Sequence, residues 1–151
     1  MEFRQITRDR KKYLTLLLLA DEREDMILRY LDRGEMYALY DPDLRAVCVV
    51  TDEGEGVLEL QNLAVAPEHQ RRGYGRAMVD FLFRHYRGRF AAMKVGTGDS
   101  PMTLSFYLSC GFREASRDRG YFPRHYGRPV MEDGRQIFDR VVLRKDFNGI
   151  P

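Results

Sequence analysis

The strongest constraint on this chain lies between Leu58 and Tyr86, where an apolar run meets a proline, a basic turn broken by glycines, and an amphipathic segment. Leu60 to Ala66 is apolar enough for a strand, and Pro67 ends it by removing a ladder donor. Met78, Phe81, Leu82 and His85 then recur at helical spacing, with Arg76, Asp80 and Arg84 on other faces. A helix beginning near Gly73 leaves its first N–H groups without intrahelical acceptors, all pointing beyond the helix end. Gly73 and Gly75 let a phosphate approach the main chain without meeting a Cβ, and Arg71, Arg72 and Arg76 add positive charge. A pyrophosphate suits such a cradle. The nucleotide-loop pattern Gly-x-x-x-x-Gly-Lys-Ser/Thr is absent, and Met78 stands where a dinucleotide fingerprint carries its third glycine. The competing account is a surface strand-turn-helix whose glycines merely make the turn.

The rest of the chain frames this stretch. Glu2–Thr7 reads as a strand, Asp9–Leu19 as a helix capped by Thr7 or Asp9, and Glu22–Leu31 as a second helix stopped at Arg33-Gly34. Strands follow at Glu35–Asp41 and Arg45–Asp52 around the turn Asp41-Pro42-Asp43, and Val57–Val65 comes next. After the central helix, Phe90–Thr97 is a strand expected parallel to Val57–Val65, because a helix crosses over between them. Ser100 and Pro101 start a helix through Thr103–Cys110, and Gly111 ends it. Phe112 to about Tyr121 and Gln136–Arg144 are expected to close the sheet as a hairpin, with a long connection around Tyr126–Gly134. Successive antiparallel strands, a helix and another strand define an α+β chain with a mixed sheet.

Composition narrows the function classes. At 151 residues and 44% hydrophobic content, residues 1–151 are expected to form one domain. The net charge of +2 is too mild for a general nucleic-acid binder, and no run approaches the roughly 20 apolar residues of a membrane span. Cys48 and Cys110 make neither a disulfide framework nor a metal spacing, so no metal and a reducing, cytoplasmic setting are expected.

Gln70-Arg71-Arg72-Gly73-Tyr74-Gly75 after the strand resembles motif A of the GCN5-related N-acetyltransferase (GNAT) family, Gln/Arg-x-x-Gly-x-Gly/Ala, in its small bacterial type. Phe106-Tyr107-Leu108-Ser109-Cys110-Gly111-Phe112 resembles the family's second signature, Leu/Phe-Tyr-x-x-x-Gly-Phe. The resemblance runs from about Glu35 to Leu143. It implies the GNAT fold: a central mixed, mostly antiparallel sheet of about six or seven strands, flanked by about four helices, with a splayed parallel strand pair at the cofactor site. It also implies acetyl-CoA as cosubstrate, its pyrophosphate on the amides of Arg71 to Arg76 beside Gln70, and its pantetheine along Leu63, Ala64 and Val65. The early helical pair would lie over the acceptor side.

The implied activity is transfer of acetyl from acetyl-CoA to a primary amine, small-molecule or peptide, by direct attack in a ternary complex. Tyr107 would protonate the departing thiolate, its competing role being a helix tyrosine packed on the sheet. Glu59 falls where histone-type members carry a catalytic glutamate; general base and salt-bridged strand residue are both open. Alternation puts Glu59 on one face with Gln61 and Leu63, opposite Leu58 and Leu60. Ser100 stands where many members have an asparagine facing the cofactor. Tyr121 to Pro129 and Glu132-Asp133-Gly134 resemble a bacterial subset, in which His125 and Tyr126 would either line the acceptor pocket or pin the connection. His85 is expected to be structural and His69 a solvated turn residue. Cys110 lacks a histidine partner for a ping-pong route. A monomer or homodimer is expected, and the rival account is a non-catalytic acyl-CoA sensor.

Overall fold

A computed structural model describes residues 1–147. The segment Met1–Ala91 is one compact unit, built from β1 (Glu2–Ile6), α1 (Leu14–Leu17), α2 (Glu24–Leu31), β2 (Glu35–Tyr40), β3 (Leu44–Asp52), β4 (Val57–Val65) and α3 (Tyr74–His85). Its strands are antiparallel neighbours in chain order, with Phe3 opposite Leu39, Tyr37 opposite Cys48 and Ala46 opposite Val65. Leu17, Ile27, Tyr30 and Leu31 of the first two helices pack with Val47, Val49 and Ala64 into a buried cluster. Fully burying a Leu or Ile there contributes about 1.5–3 kcal/mol.

The helix expected over Asp9–Leu19 is broken. A 3-10 turn, Arg10–Tyr13, runs into the single α turn of α1. Asp9 sits left-handed at φ 52° and makes no side-chain cap bond, while Arg10 donates to the carbonyls of Ile6 (3.0 Å), Gly34 (2.8 Å) and Leu31. That guanidinium ties the tight turn to the end of α2, which basic groups at a helix C-terminus favour. Gly34 does stop α2, but by close approach: an added Cβ would lie 2.6 Å from the Val50 carbonyl oxygen.

A bulge changes the faces of β4. Glu59 lies opposite Thr51 and Asn62 opposite Val49, yet Leu60 lies opposite Val50, so Gln61 is the extra residue. Opposed residues share a face. Glu59, Asn62 and Ala64 therefore look toward α1 and α2, whereas Leu58, Leu60, Leu63 and Val65 share the face of Cys48 and Tyr37. The expectation that Glu59 and Leu63 share a face is corrected, because one inserted residue reverses the period-two rule. Phe81, His85 and Tyr86 of α3 place their rings 5.2, 5.3 and 6.2 Å from that of Tyr37. α3 thus covers the Leu63 face. His85 is exposed and holds its place by these ring contacts.

From Ala92 onward the chain forms a second unit, with β5 (Ala92–Gly98), α4 (Pro101–Ser109), β6 (Arg113–Asp118), α5 (Tyr121–Tyr126), β7 (Val130–Glu132), β8 (Arg135–Ile137) and β9 (Arg140–Asp146). β9 pairs antiparallel with both β5 and β6. The connection expected to be irregular carries a helix and a small β7–β8 hairpin. Gly120 and Gly127, at φ 69° and 66°, bracket that helix, and Asp139 receives the Gly120 N–H at 3.0 Å. No described helix is long and apolar enough to cross a membrane.

Candidate active site

β4 delivers the chain into the basic turn through a 3-10 turn, Pro67–His69. Arg71 at φ 66° and Gly73 at φ 88° are both left-handed, which reverses the chain so that α3 starts at Tyr74. The first bond within the helix is from the Ala77 N–H to the Gly73 carbonyl, 3.0 Å. The Tyr74 and Gly75 amides precede it and find no acceptor inside the helix. A Cβ built on Gly73 would meet nothing within 4 Å, so the approach is open. Arg71, Arg72 and Arg76 are exposed around it. Open amides, a helix N-terminus and three guanidinium groups fit a pyrophosphate in shape and sign.

Two motif side chains brace the turn. Gln70 donates to the Val65 carbonyl at 3.2 Å, and the Tyr74 hydroxyl donates to Asp41 at 2.9 Å. The Tyr74 bond, foremost, holds the Asp41 carboxyl below its ordinary value. His69 is not merely solvated, which corrects the expectation: Arg45 places Nη1 2.7 Å from its Nδ1, and the same guanidinium reaches the Asp41 carbonyl at 2.8 Å. The Asp41 turn, Arg45, His69 and Tyr74 form one brace behind the basic turn.

Tyr107 lies in α4, 7% exposed, with Phe106 and Phe112 rings at 5.0 and 5.5 Å. The helix end beneath it has a structural logic. Gly111 at φ 97° donates to Leu108 at 3.0 Å, and Phe112 donates to Tyr107 at 3.0 Å. These two bonds are a Schellman cap, and the Tyr107–Phe112 contact is its apolar clasp. The spacing from Tyr107 to Gly111 and Phe112 is therefore what orients the phenol ring. Cys110, within this cap, and Cys48 are buried and form no disulfide; burial drives the Cys48 thiol pKa upward.

Ser100 occupies the N-cap position of α4, and its side chain makes no cap bond. Its hydroxyl donates to Asp133 at 3.2 Å instead, and the Thr103 hydroxyl donates to Glu132 at 2.8 Å. His125 is exposed on α5 with its ring 4.3 Å from Tyr121, and Tyr126 lies 5.5 Å from Phe122. Both make i, i+4 contacts along their own helix. Among the described residues no group of three or more His, Cys, Asp and Glu could hold a metal.

Sequence reasoning passed over Asn62, although it is a polar residue at a buried position of β4. It is 3% exposed, and its Nδ2 donates to the Leu17 carbonyl at 2.9 Å and to the Tyr30 hydroxyl at 3.0 Å. The Tyr30 hydroxyl in turn donates a hydrogen bond to Asp21 at 3.2 Å. Gln61, on the bulge, donates to Thr51 at 3.0 Å, and Thr51 donates to Glu53 at 2.6 Å. With Glu59, these make a polar floor under α1 and α2. The signal was there in the run Leu60-x-Asn62-x-Ala64, where a polar group interrupts the buried parity.

The first unit thus holds a strand, a left-handed basic turn and a helix, and the second holds a buried helix tyrosine over a glycine cap. The chain matches the acetyltransferase (GNAT) domain model over residues 32–114. It is 37% identical over 135 residues to the uncharacterized N-acetyltransferase YvbK of Bacillus subtilis (strain 168), covering 87% of each chain. Its fold overlays a Bacillus subtilis acetyltransferase solved in complex with CoA, with TM-score 0.87, 32% identity and 96% and 97% of the two chains covered. A GNAT family acetyltransferase from Elizabethkingia anophelis with acetyl-CoA bound gives TM-score 0.87 at 26% identity, covering 96% and 97%. The chain belongs to the GNAT acetyltransferase family, and its fold is the family's mixed-sheet fold.

Proposed function

We propose that this protein transfers the acetyl group of acetyl-CoA to a primary amine by direct attack in a ternary complex. The observation that carries the reading is the turn at Arg71–Gly73: two left-handed residues open the N-terminus of α3 toward a pyrophosphate, ringed by Arg71, Arg72 and Arg76. The two solved relatives that hold CoA and acetyl-CoA support the choice of cosubstrate.

The amides of Tyr74 and Gly75 hold the pyrophosphate, and the Leu63–Val65 backbone aligns the pantetheine. Glu59 takes a proton from the acceptor ammonium, directly or through water. The amine lone pair then attacks the thioester carbonyl to form the C–N bond. As the tetrahedral adduct collapses the C–S bond breaks, Tyr107 delivers its proton to the departing sulfur, and the second proton of the nitrogen returns to the Tyr107 oxygen. A strand amide near Leu63 meets the oxyanion. A phenol suits the last step because it remains protonated near neutral pH.

CoA release measured over a panel of amines, with wild type and Tyr107→Phe side by side across pH, tests this. The phenylalanine variant should lose about 10²–10⁴ in kcat, the range of a positioned acid, with KM for acetyl-CoA little changed. Turnover that survives the substitution removes Tyr107 as the acid. Acetyl-CoA binding without turnover of any amine would replace the transferase with a sensor.

A further inference from the structure

The polar floor of β4 is not a closed network. The Asp21 carboxylate, in the α1–α2 connection, accepts the Arg23 N–H at 3.1 Å and the Tyr30 hydroxyl at 3.2 Å. Among the described residues no Lys, Arg or His nitrogen pairs with it, since the guanidinium of Arg23 is turned to Asp25 at 2.6 Å. Burial raises the Asp21 pKa above the ordinary value, so its charge is held at a cost. One hydrogen bond further in, Asn62 uses Nδ2 on two acceptors, Leu17 and Tyr30. Those two acceptors settle which way the amide faces, and its buried Oδ1 is left without a partner.

A structural polar network closes on itself, because each unmade bond of a buried group costs about 1–3 kcal/mol. This one has its donors spent and its acceptors open: the Tyr30 hydroxyl already donates its one hydrogen, Asn62 Oδ1 has no donor, and Asp21, with the Arg23 charge acting on it only at longer range, has no ion pair among the described residues. What would complete it is a group with several N–H donors and a positive charge. An ammonium has both.

We propose that Asp21, held by Tyr30 and Asn62, is the subsite for a second positive charge on the acceptor, so that the preferred substrates are di- or polycationic amines. This rests on the reading of the α1–α2 face of β4 as the acceptor side. Glu59 lies on that same face, three residues along the strand, and serves the reacting amine; Asp21 serves the charge that is retained.

Calorimetry on the protein saturated with CoA, titrated with 1,4-diaminobutane or with n-butylamine, tests the subsite without any transfer. Wild type should bind the diamine at least tenfold more tightly. Asp21→Asn should abolish that preference with CoA affinity unchanged, Asp21→Glu should restore part of it, and Tyr30→Phe should weaken it. Equal affinity of wild type for the two amines, or a preference that survives Asp21→Asn, overturns the proposal whether or not the variants lose stability. Diamine binding without CoA release from acetyl-CoA would refute the transferase reading and leave the subsite standing.

Discussion

Tyr37 and Tyr86 show how one atom secures the contact of α3 with its sheet. Their hydroxyls lie 2.8 Å apart, and the Tyr86 hydroxyl donates a hydrogen bond to Glu35. Both rings are at most 1% exposed. Burial raises both phenol pKa values, so both hydroxyls stay protonated at any working pH. Tyr86→Phe leaves the buried Tyr37 hydroxyl without its partner, a loss of about 1–3 kcal/mol. Urea denaturation should show that loss, and adding Tyr37→Phe should recover part of it, since no buried hydroxyl is then left without a partner. None of this pairing can be read from the sequence, because the two residues stand 49 positions apart and neither belongs to a motif. Tyr107 differs: its glycine and phenylalanine neighbours are local, so its cap was legible.

At the scale of elements, the turn before α3 and the turn before β4 make a controlled comparison. Gly73 and Gly54 have nearly the same dihedral, φ 88° and φ 87°, and a Cβ on either meets nothing within 4 Å. Substituting alanine at either should cost about 1–2 kcal/mol, the penalty of a left-handed L-residue. Only Gly73→Ala should also raise KM for acetyl-CoA, with kcat little changed, because the proposed pyrophosphate site lies at that turn and not at Gly54. Equal KM values in the two variants would separate the turn from cosubstrate binding. The strand-turn-helix was legible because proline, glycines and helical periodicity are local signals. The bulge at Gln61 was not: it exists only relative to β3, and nothing in β4 alone says that the pairing will skip from Asn62, opposite Val49, to Leu60, opposite Val50.

For the whole molecule, several carboxylates have pKa values below their ordinary range. Asp139 is lowered first by the Gly120 N–H and then by Arg117, Asp41 first by Tyr74, and Glu114 first by Arg117. A folded pKa below the unfolded one adds stability above the unfolded value, near 4, that disappears as pH falls through the folded value. Asp21 has the opposite sign: its raised pKa adds stability when protonated, and that part is lost as pH rises from the unfolded to the folded value. The melting temperature should therefore fall as pH drops below about 4, and Asp139→Asn should flatten that fall. An identical acid slope in that variant would remove Asp139 from the account. The sequence by itself determined the strand order of the first unit, the basic glycine turn, the tyrosine helix and thereby the family, since each is written in neighbouring residues through periodicity, caps and breakers. Only the tertiary structure decided which face Glu59 occupies and that Asp21, Tyr30 and Asn62 share one chain of hydrogen bonds. Strand register and helix packing bring together groups that no local rule connects.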